Sequence, residues 1–203
     1  MSETIAPGDA SDEALAERAV LGSHDAFDTL ALRYQARIYR LASRLVGVDD
    51  ALDVVQEAFL SAFRHLGTFR RESKFSTWLY RIAMNAALMH RRSRARRRTD
   101  SLDAFLPTFE ADGSHRGTPA ALQVAARADE LLDRRLVAEK VRALLDQLPE
   151  TSRSAFVLRD LEELSTAEVA QILGVDVAAV RQRVHRARLI LRGLLSAMTE
   201  GAS

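Results

Sequence analysis

Apolar residues recur three and four positions apart through most of the chain, and no segment alternates as a strand would, so the pattern predicts a protein built from helices alone. A short helix is expected over residues 12–21, closed by Gly22 in a left-handed cap. A longer one follows over about 25–46, with Phe27, Leu30, Ala31, Tyr34, Ile38, Leu41, Ala42 and Leu45 at core spacing and Gly47 after it. The third, over 49–66, buries Val55, Ala58, Phe59, Ala62, Phe63 and Leu66. Its opposite side carries Asp53, Gln56, Glu57 and Leu60, an acidic and amide stripe with one exposed apolar residue. That composition suits a solvated face as well as a docking surface. The fourth helix, over 75–98, has Leu79, Ile82, Ala83, Ala86 and His90 on a buried stripe and Arg81, Asn85, Leu88 and Arg92 on a second one. Ser73 or Ser76 is in place to cap it.

Periodicity then stops. Residues 1–11 read as a frayed tail, and 99–117, with Pro107, Gly113 and Gly117, as a flexible linker. The linker holds Leu102, Phe105, Leu106 and Phe109, more apolar surface than a plain spacer needs, suited to a partner's groove or to collapse onto its own domains. Thr118 and Pro119 make a cap and first-turn proline for a helix running to Leu148, with a break expected near residues 133–135. Pro149 ends it, and another helix is expected over 150–161. The result is an all-α chain of two small helical domains, 12–98 and 118–203.

The most specific local pattern lies at 165–192, STAEVAQILGVDVAAVRQRVHRARLILR. Ser165 and Glu168 form a capping box, each side chain placed to accept a backbone N–H of the first turn. Ala170 is small where two helices cross, Gly174 supplies the left-handed turn, and Asp176 caps the next helix. Val169, Leu173, Val175 and Val180 make the small core between them. This is the spacing of a DNA-binding helix-turn-helix. Its second helix turns Arg181, Gln182, Arg183, His185, Arg186 and Arg188 toward the base-reading side, where arginine can bridge two acceptors on guanine and glutamine can pair with adenine. The same pattern is compatible with a packing hairpin whose arginines are merely solvated.

Charge sharpens this picture. The 203-residue chain carries a net charge of only +1, yet from Phe69 to Arg98 there are ten Arg and Lys against the single acid Glu72. Residues 1–60 hold eleven acids against five arginines, and 99–133 seven acids against two arginines. Residues 165–192 are basic again, with five arginines against two acids. Two basic blocks separated by acidic ones suggest two contacts with a polyanion. Cysteine is absent, which removes disulfides, thiol catalysis and thiolate metal sites. The five histidines show no paired ligand spacing, so neither a metal nor a cofactor is expected. No apolar run approaches the roughly 18 residues of a membrane helix, and the acidic N-terminus is unlike a signal peptide. A cytoplasmic protein is expected.

In order, DALDVVQEAFLSAF, FSTWLYRIAMNAALMHRR, a linker and LPETSRSAFVLRDLEELSTAEVAQILGVDVAAVRQRVHRAR resemble a bacterial RNA polymerase sigma factor of the extracytoplasmic-function type, in the sigma-70 family. The resemblance covers about residues 25–195. It implies that Asp53, Gln56, Glu57 and Leu60 dock on the clamp helices of the polymerase beta-prime subunit. The basic helix and the loop before it would read and open the minus-10 element through Phe69, Lys74, Trp78, Arg81, Asn85, Arg91 and Arg92, with Asn85 and the loop holding a flipped base. The helix-turn-helix would read the minus-35 element, and the linker would thread through the polymerase. Partners are therefore core RNA polymerase (beta-prime and beta subunits), promoter DNA and, because little chain follows Leu195, a separate anti-sigma factor. Departures from the family's usual pattern are Leu52 in place of an acid, Glu163 in place of glycine, and Ala178 and Gln182 in place of glycine and serine. Gln182 lies on the reading face, so the minus-35 sequence does not carry over. The leading rival is a stand-alone helix-turn-helix repressor or activator. An enzyme is disfavoured, because no phosphate loop, metal cluster or nucleophile-base pair is present.

Overall fold

The computed structural model describes residues 10–100 and 128–200. The tail before Ala10, the linker residues from Ser101 onward and the Thr118–Pro119 helix start lie outside the described residues. Among those described there are only helices: α1 (Asp12–Val20), α2 (His24–Val46), α3 (Val48–His65), α4 (Phe75–Asp100), α5 (Ala128–Asp146), α6 (Glu150–Phe156), α7 (Thr166–Leu173) and α8 (Val177–Glu200). A single 3-10 turn, Leu66–Thr68, follows α3, and α6 widens into a π-helical turn over Val157–Leu161.

The N-terminal half packs α1, α2, α3 and α4 around Leu15, Leu30, Ile38, Leu41, Leu45 and Leu79, all essentially inaccessible to solvent. Ser11 and Ser23 cap α1 and α2 by accepting the N–H groups of Ala14 and Ala26. Gly47 has φ 99°, a conformation that lets α2 turn directly into α3. Three expectations are corrected here. Phe63 is 46% exposed, lying against Phe27 and His24 at the rim, while Val54 and Ala51 take the buried positions on α3. On α4 the buried face is Phe75, Leu79, Tyr80, Ala83, Met84 and Ala87, with Ile82, Ala86 and His90 only half-buried, because α4 packs against α7 as well as α2 and α3. Neither Ser73 nor Ser76 starts that helix; Lys74 does, its carbonyl accepting from Trp78 N–H at 3.2 Å, while Ser73 Oγ donates to the same carbonyl.

In the C-terminal half α5 runs unbroken from Ala128 to Asp146, against the expected break near residues 133–135. Arg153, whose side chain is only 5% exposed, holds its end. The guanidinium donates to the Asp146 and Leu148 carbonyls at 2.9 and 3.0 Å and to the Asp146 carboxylate at 2.8 Å. These are carbonyls that a helix end leaves without partners. Burial, reinforced by nearby Arg91, pushes the Arg153 pKa down from its ordinary value.

Between α6 and α7 the chain reverses at Glu163, which adopts φ 58°. A side chain in the left-handed region crowds its own carbonyl at a cost of roughly 1–2 kcal/mol, partly offset by the extra unfolded-state freedom that glycine brings. Glu163→Gly is therefore expected to raise stability by up to about 1 kcal/mol. A lower urea midpoint for the variant would show that the Glu163 side chain contributes more than its backbone conformation costs.

Candidate nucleic-acid interface

The helix-turn-helix forms as the local chemistry demands. Ser165 Oγ accepts from the Glu168 N–H at 3.2 Å, and the Glu168 carboxylate accepts from the Ser165 N–H at 2.9 Å, completing the box. Gly174 ends α7 at φ 63°, ψ 40°, with its N–H bonded to the Ala170 carbonyl. Asp176 Oδ1 accepts from Ala179 N–H at 2.6 Å and starts α8. Val169, Ala170, Ile172, Val180, Val184 and Ala187 are buried between the helices, whereas Leu173 and Val175 are half-buried. This core turns the remaining face of α8 outward. Arg181, Gln182, His185, Arg186 and Arg188 are exposed and Arg183 is half-buried. Arg188 is engaged within the chain: its Nε and Nη2 donate to the two carboxylate oxygens of Asp160 at 2.8 and 2.7 Å.

Glu168 is held well below the ordinary carboxylate range, at about 2, first by the Ser165 hydroxyl and then by Lys74 and the Ser165 N–H. An unfolded glutamate titrates near 4.3, so the depressed folded value makes Glu168 a stabilising group above that pH. Its contribution is lost as pH falls from about 4.5 toward 2. The stability advantage of the wild type over Glu168→Gln should narrow through that window in thermal melts. A gap independent of pH would remove the ionised carboxylate from the account.

The expected minus-10 residues fall into three groups. Phe69 and Trp78 are buried, in an aromatic cluster with Phe75 whose centroids lie 5.3–5.8 Å apart. One edge of that cluster floors a cavity of about 300 Å³ walled by Arg70, Arg71, Arg81 and, from α7, Gln171. Arg71 in the loop above it takes φ 58°. Asn85 is exposed but lines a different space, a groove of about 650 Å³ between α3 and α4 that it shares with Asp53, Glu57 and Met89. The fold thus does not bring Asn85 and the loop into one pocket. The third group, Lys74, Arg91 and Arg92, is engaged with acids of the C-terminal half: Glu168 at 3.0 Å, Asp146 at 3.1 Å and Glu150 at 3.1 Å.

On α3, Asp53, Gln56, Glu57 and Leu60 are all exposed, and Asp53 and Glu57 line one side of the α3/α4 groove. They are carried by a helix fixed through Ala51, Val54, Val55 and Ala58 beneath them.

Residues 30–97 match the family model described as Sigma-70 region 2, and residues 138–191 match Sigma-70, region 4. The ECF RNA polymerase sigma-E factor of Escherichia coli K12 is 40% identical over 180 residues, 88% of this chain and 91% of that protein. This chain belongs to the ECF sigma factors of the sigma-70 family. The RNA polymerase sigma-H factor of Pseudomonas aeruginosa is likewise 40% identical, over 87% of this chain and 90% of its own. Among solved structures, CnrH in complex with the cytosolic domain of CnrY superimposes with a TM-score of 0.67 at 28% identity, covering 93% of this chain and 99% of that one. The sigma factor RpoE of Bartonella quintana, solved with the anti-sigma factor NepR, shares the fold with a TM-score of 0.60 at 23% identity, over 84% and 96%.

The sigma factor also contains a constellation that periodicity did not reveal. Glu162, with a side chain 3% exposed, accepts from the Tyr80 hydroxyl at 3.1 Å and pairs with Arg44. Arg44 also donates to the Leu161 carbonyl at 2.8 Å. Burial raises the Glu162 carboxyl above its usual range despite Arg44, and burial together with the Glu162 charge pushes the Tyr80 hydroxyl up. Arg44 and Glu162 are 118 positions apart. Arg44 lies on no motif and Glu162, inside the C-terminal segment that carries the resemblance, has no role assigned by it, so no local signal paired them. No helix among the described residues is long and apolar enough to cross a membrane.

Proposed function

We infer that this sigma factor binds core RNA polymerase and directs promoter recognition and initiation in the cytoplasm, under the control of an anti-sigma factor. The observation that carries this is the pair of outward faces on two family segments in their order, the acidic and amide stripe of α3 and the arginine face of α8. Asp53, Gln56, Glu57 and Leu60 dock on the beta-prime clamp helices. The domain at 12–98 reads and melts the minus-10 element with α4 and the loop before it. The domain at 118–203 reads minus-35 with Arg181, Gln182, Arg183, His185 and Arg186. Arg188 joins them once its Asp160 pairing yields to a phosphate or base. The linker at 99–117 follows the polymerase between the two sites. The chain contributes recognition and strand capture, and the polymerase contributes the chemistry.

Run-off transcription on genomic fragments with core polymerase tests this reading. Promoter-specific transcripts are expected only with both components. Tight sequence-specific binding by the protein alone, with no transcript on adding core, would favour the repressor.

Strand capture has its own test. An unpaired base needs apolar or flat walls and a side chain able to bond its edge. Asn85→Ala is expected to leave duplex binding by the holoenzyme nearly unchanged while permanganate reactivity of the melted strand drops about tenfold. A parallel fall in both signals would make Asn85 a duplex contact.

A further inference from the structure

Helix α1 precedes the segment that matches Sigma-70 region 2, residues 30–97, and carries none of the residues assigned to polymerase or promoter. It is nevertheless fixed in place. Leu15, Ala16 and Ala19 are buried beneath it. Asp12 in its first turn accepts from Arg33 at 2.8 Å and from the Tyr34 hydroxyl, and Arg33 also donates to the Ala10 carbonyl at 2.8 Å. The helix is thereby part of the α2 scaffold, and side chains on its outer face keep their place relative to it.

That face meets the loop at 69–74, which walls the cavity floored by Phe69 and Trp78. On one side of the loop α1 packs on the 3-10 turn, and on the other it packs on α4. Between these two contacts Glu17 pairs with Arg71 at 2.5 Å. Glu13, one turn earlier, also acts on the loop: the Lys74 pKa is raised from its ordinary value first by Glu168 and further by Glu13.

Arg71 is the loop residue in need of a brace. Among the described residues it is, with Glu163, one of two other than glycine whose φ is positive, at 58°. A side chain in that region crowds its own carbonyl, so the backbone keeps this shape only where its surroundings favour it. The Glu17 carboxylate supplies such a preference from outside the loop, because the pair exists only while Arg71 is turned toward α1.

We propose that Glu17 is a positioning residue for promoter opening, bracing the loop at 69–74 through Arg71 in the conformation that engages the melted minus-10 strand. This rests on the assignment of that loop to the minus-10 element and extends it to a helix with no nucleic-acid contact of its own. Removing the carboxylate has two effects of opposite sign. Glu17→Gln takes a negative charge away from a basic loop, so electrostatics alone predicts tighter promoter binding and more open complex. Loss of the brace predicts less open complex. Both partners are about half-exposed, at 55% and 53%, which sets the expected change at about threefold, the scale of an exposed ion pair.

The test needs one readout free of DNA. Trp78 is the only tryptophan of the chain and lies at the floor of the cavity, 6% exposed. In the free Glu17→Gln protein, acrylamide quenching of its fluorescence should rise about twofold as the loop loosens. In the holoenzyme, permanganate reactivity of the melted minus-10 strand should fall about threefold while duplex binding does not fall. Glycine takes φ 58° with no crowded side chain, so in an Arg71→Gly background Glu17→Gln should change neither signal.

Unchanged quenching overturns the brace and leaves the minus-10 assignment standing. Stronger quenching with undiminished open complex removes the loop from promoter opening, and overturns the proposal through the assignment on which it rests. A rise in open complex makes Glu17 an electrostatic barrier rather than a positioning residue. A full Glu17→Gln effect in the Arg71→Gly background overturns Arg71 as its route.

Discussion

Reversing charge at Asp53 and Glu57 together, to lysine, is expected to weaken association with core polymerase by about 100-fold or more, roughly 3 kcal/mol, since like charges brought together at an interface cost several kcal/mol. Both side chains are exposed on α3, one turn apart, above a backbone fixed by buried Val54, Val55 and Ala58. The fold should therefore survive. Helicity should match wild type, and single-strand binding by the free protein should not fall. Because Arg92 and Arg96 of α4 line the same groove, the new lysines also meet like charge there. The melting curve separates that local effect from lost docking. Pull-down on core polymerase with the double variant decides the matter, and retention at wild-type levels would move the docking surface elsewhere.

The helix-turn-helix was legible in the sequence almost atom by atom because its determinants are local. Ser165, Glu168, Gly174 and Asp176 act within four residues of the groups they bond, and their residue types admit few other roles. Helix α2 was legible for a related reason, since Phe27, Leu30, Tyr34, Ile38 and Leu41 face one core. Helix α4 was misread. Its apolar residues are spread around more than one face, and which face is buried depends on neighbours from both halves of the chain. Tyr80 and Met84, absent from the expected stripe, are buried, while Ile82 and Ala86 border the α3/α4 groove. Phe63 was misread in the opposite sense. Its spacing suits the core, but among the described residues no further helix covers it at the end of α3, and edge contacts with Phe27 and His24 leave nearly half of it exposed. The ion pairs between the halves were invisible, since charges at 74 and 168, or 44 and 162, acquire meaning only once the helices are placed.

Arg153 shows the same limit and leads to the second large effect. Periodicity and motifs give Arg153 no role, yet the structure buries it and makes it the cap of the preceding helix. Arg153→Met keeps much of the volume and removes every donor. The Leu148 carbonyl, buried with it, then lacks its partner, and such a loss costs about 1–3 kcal/mol. Asp146 also loses an ion pair, but it is 37% exposed and keeps Arg91, which places the change short of the full cost of breaking a buried pair. The expected destabilisation is about 2–4 kcal/mol, borne by the C-terminal half, because α5 and α6 meet at this residue. Arg153→Lys should recover little, since an ammonium cannot span two carbonyls and a carboxylate as the planar fork does. Urea melts followed by far-UV circular dichroism test this, with amide exchange to place the loss in α5, α6 and the helices packed on them. A midpoint within error of wild type for Arg153→Met would mean that water replaces the guanidinium at the helix end and that the buried cation contributes no stability there.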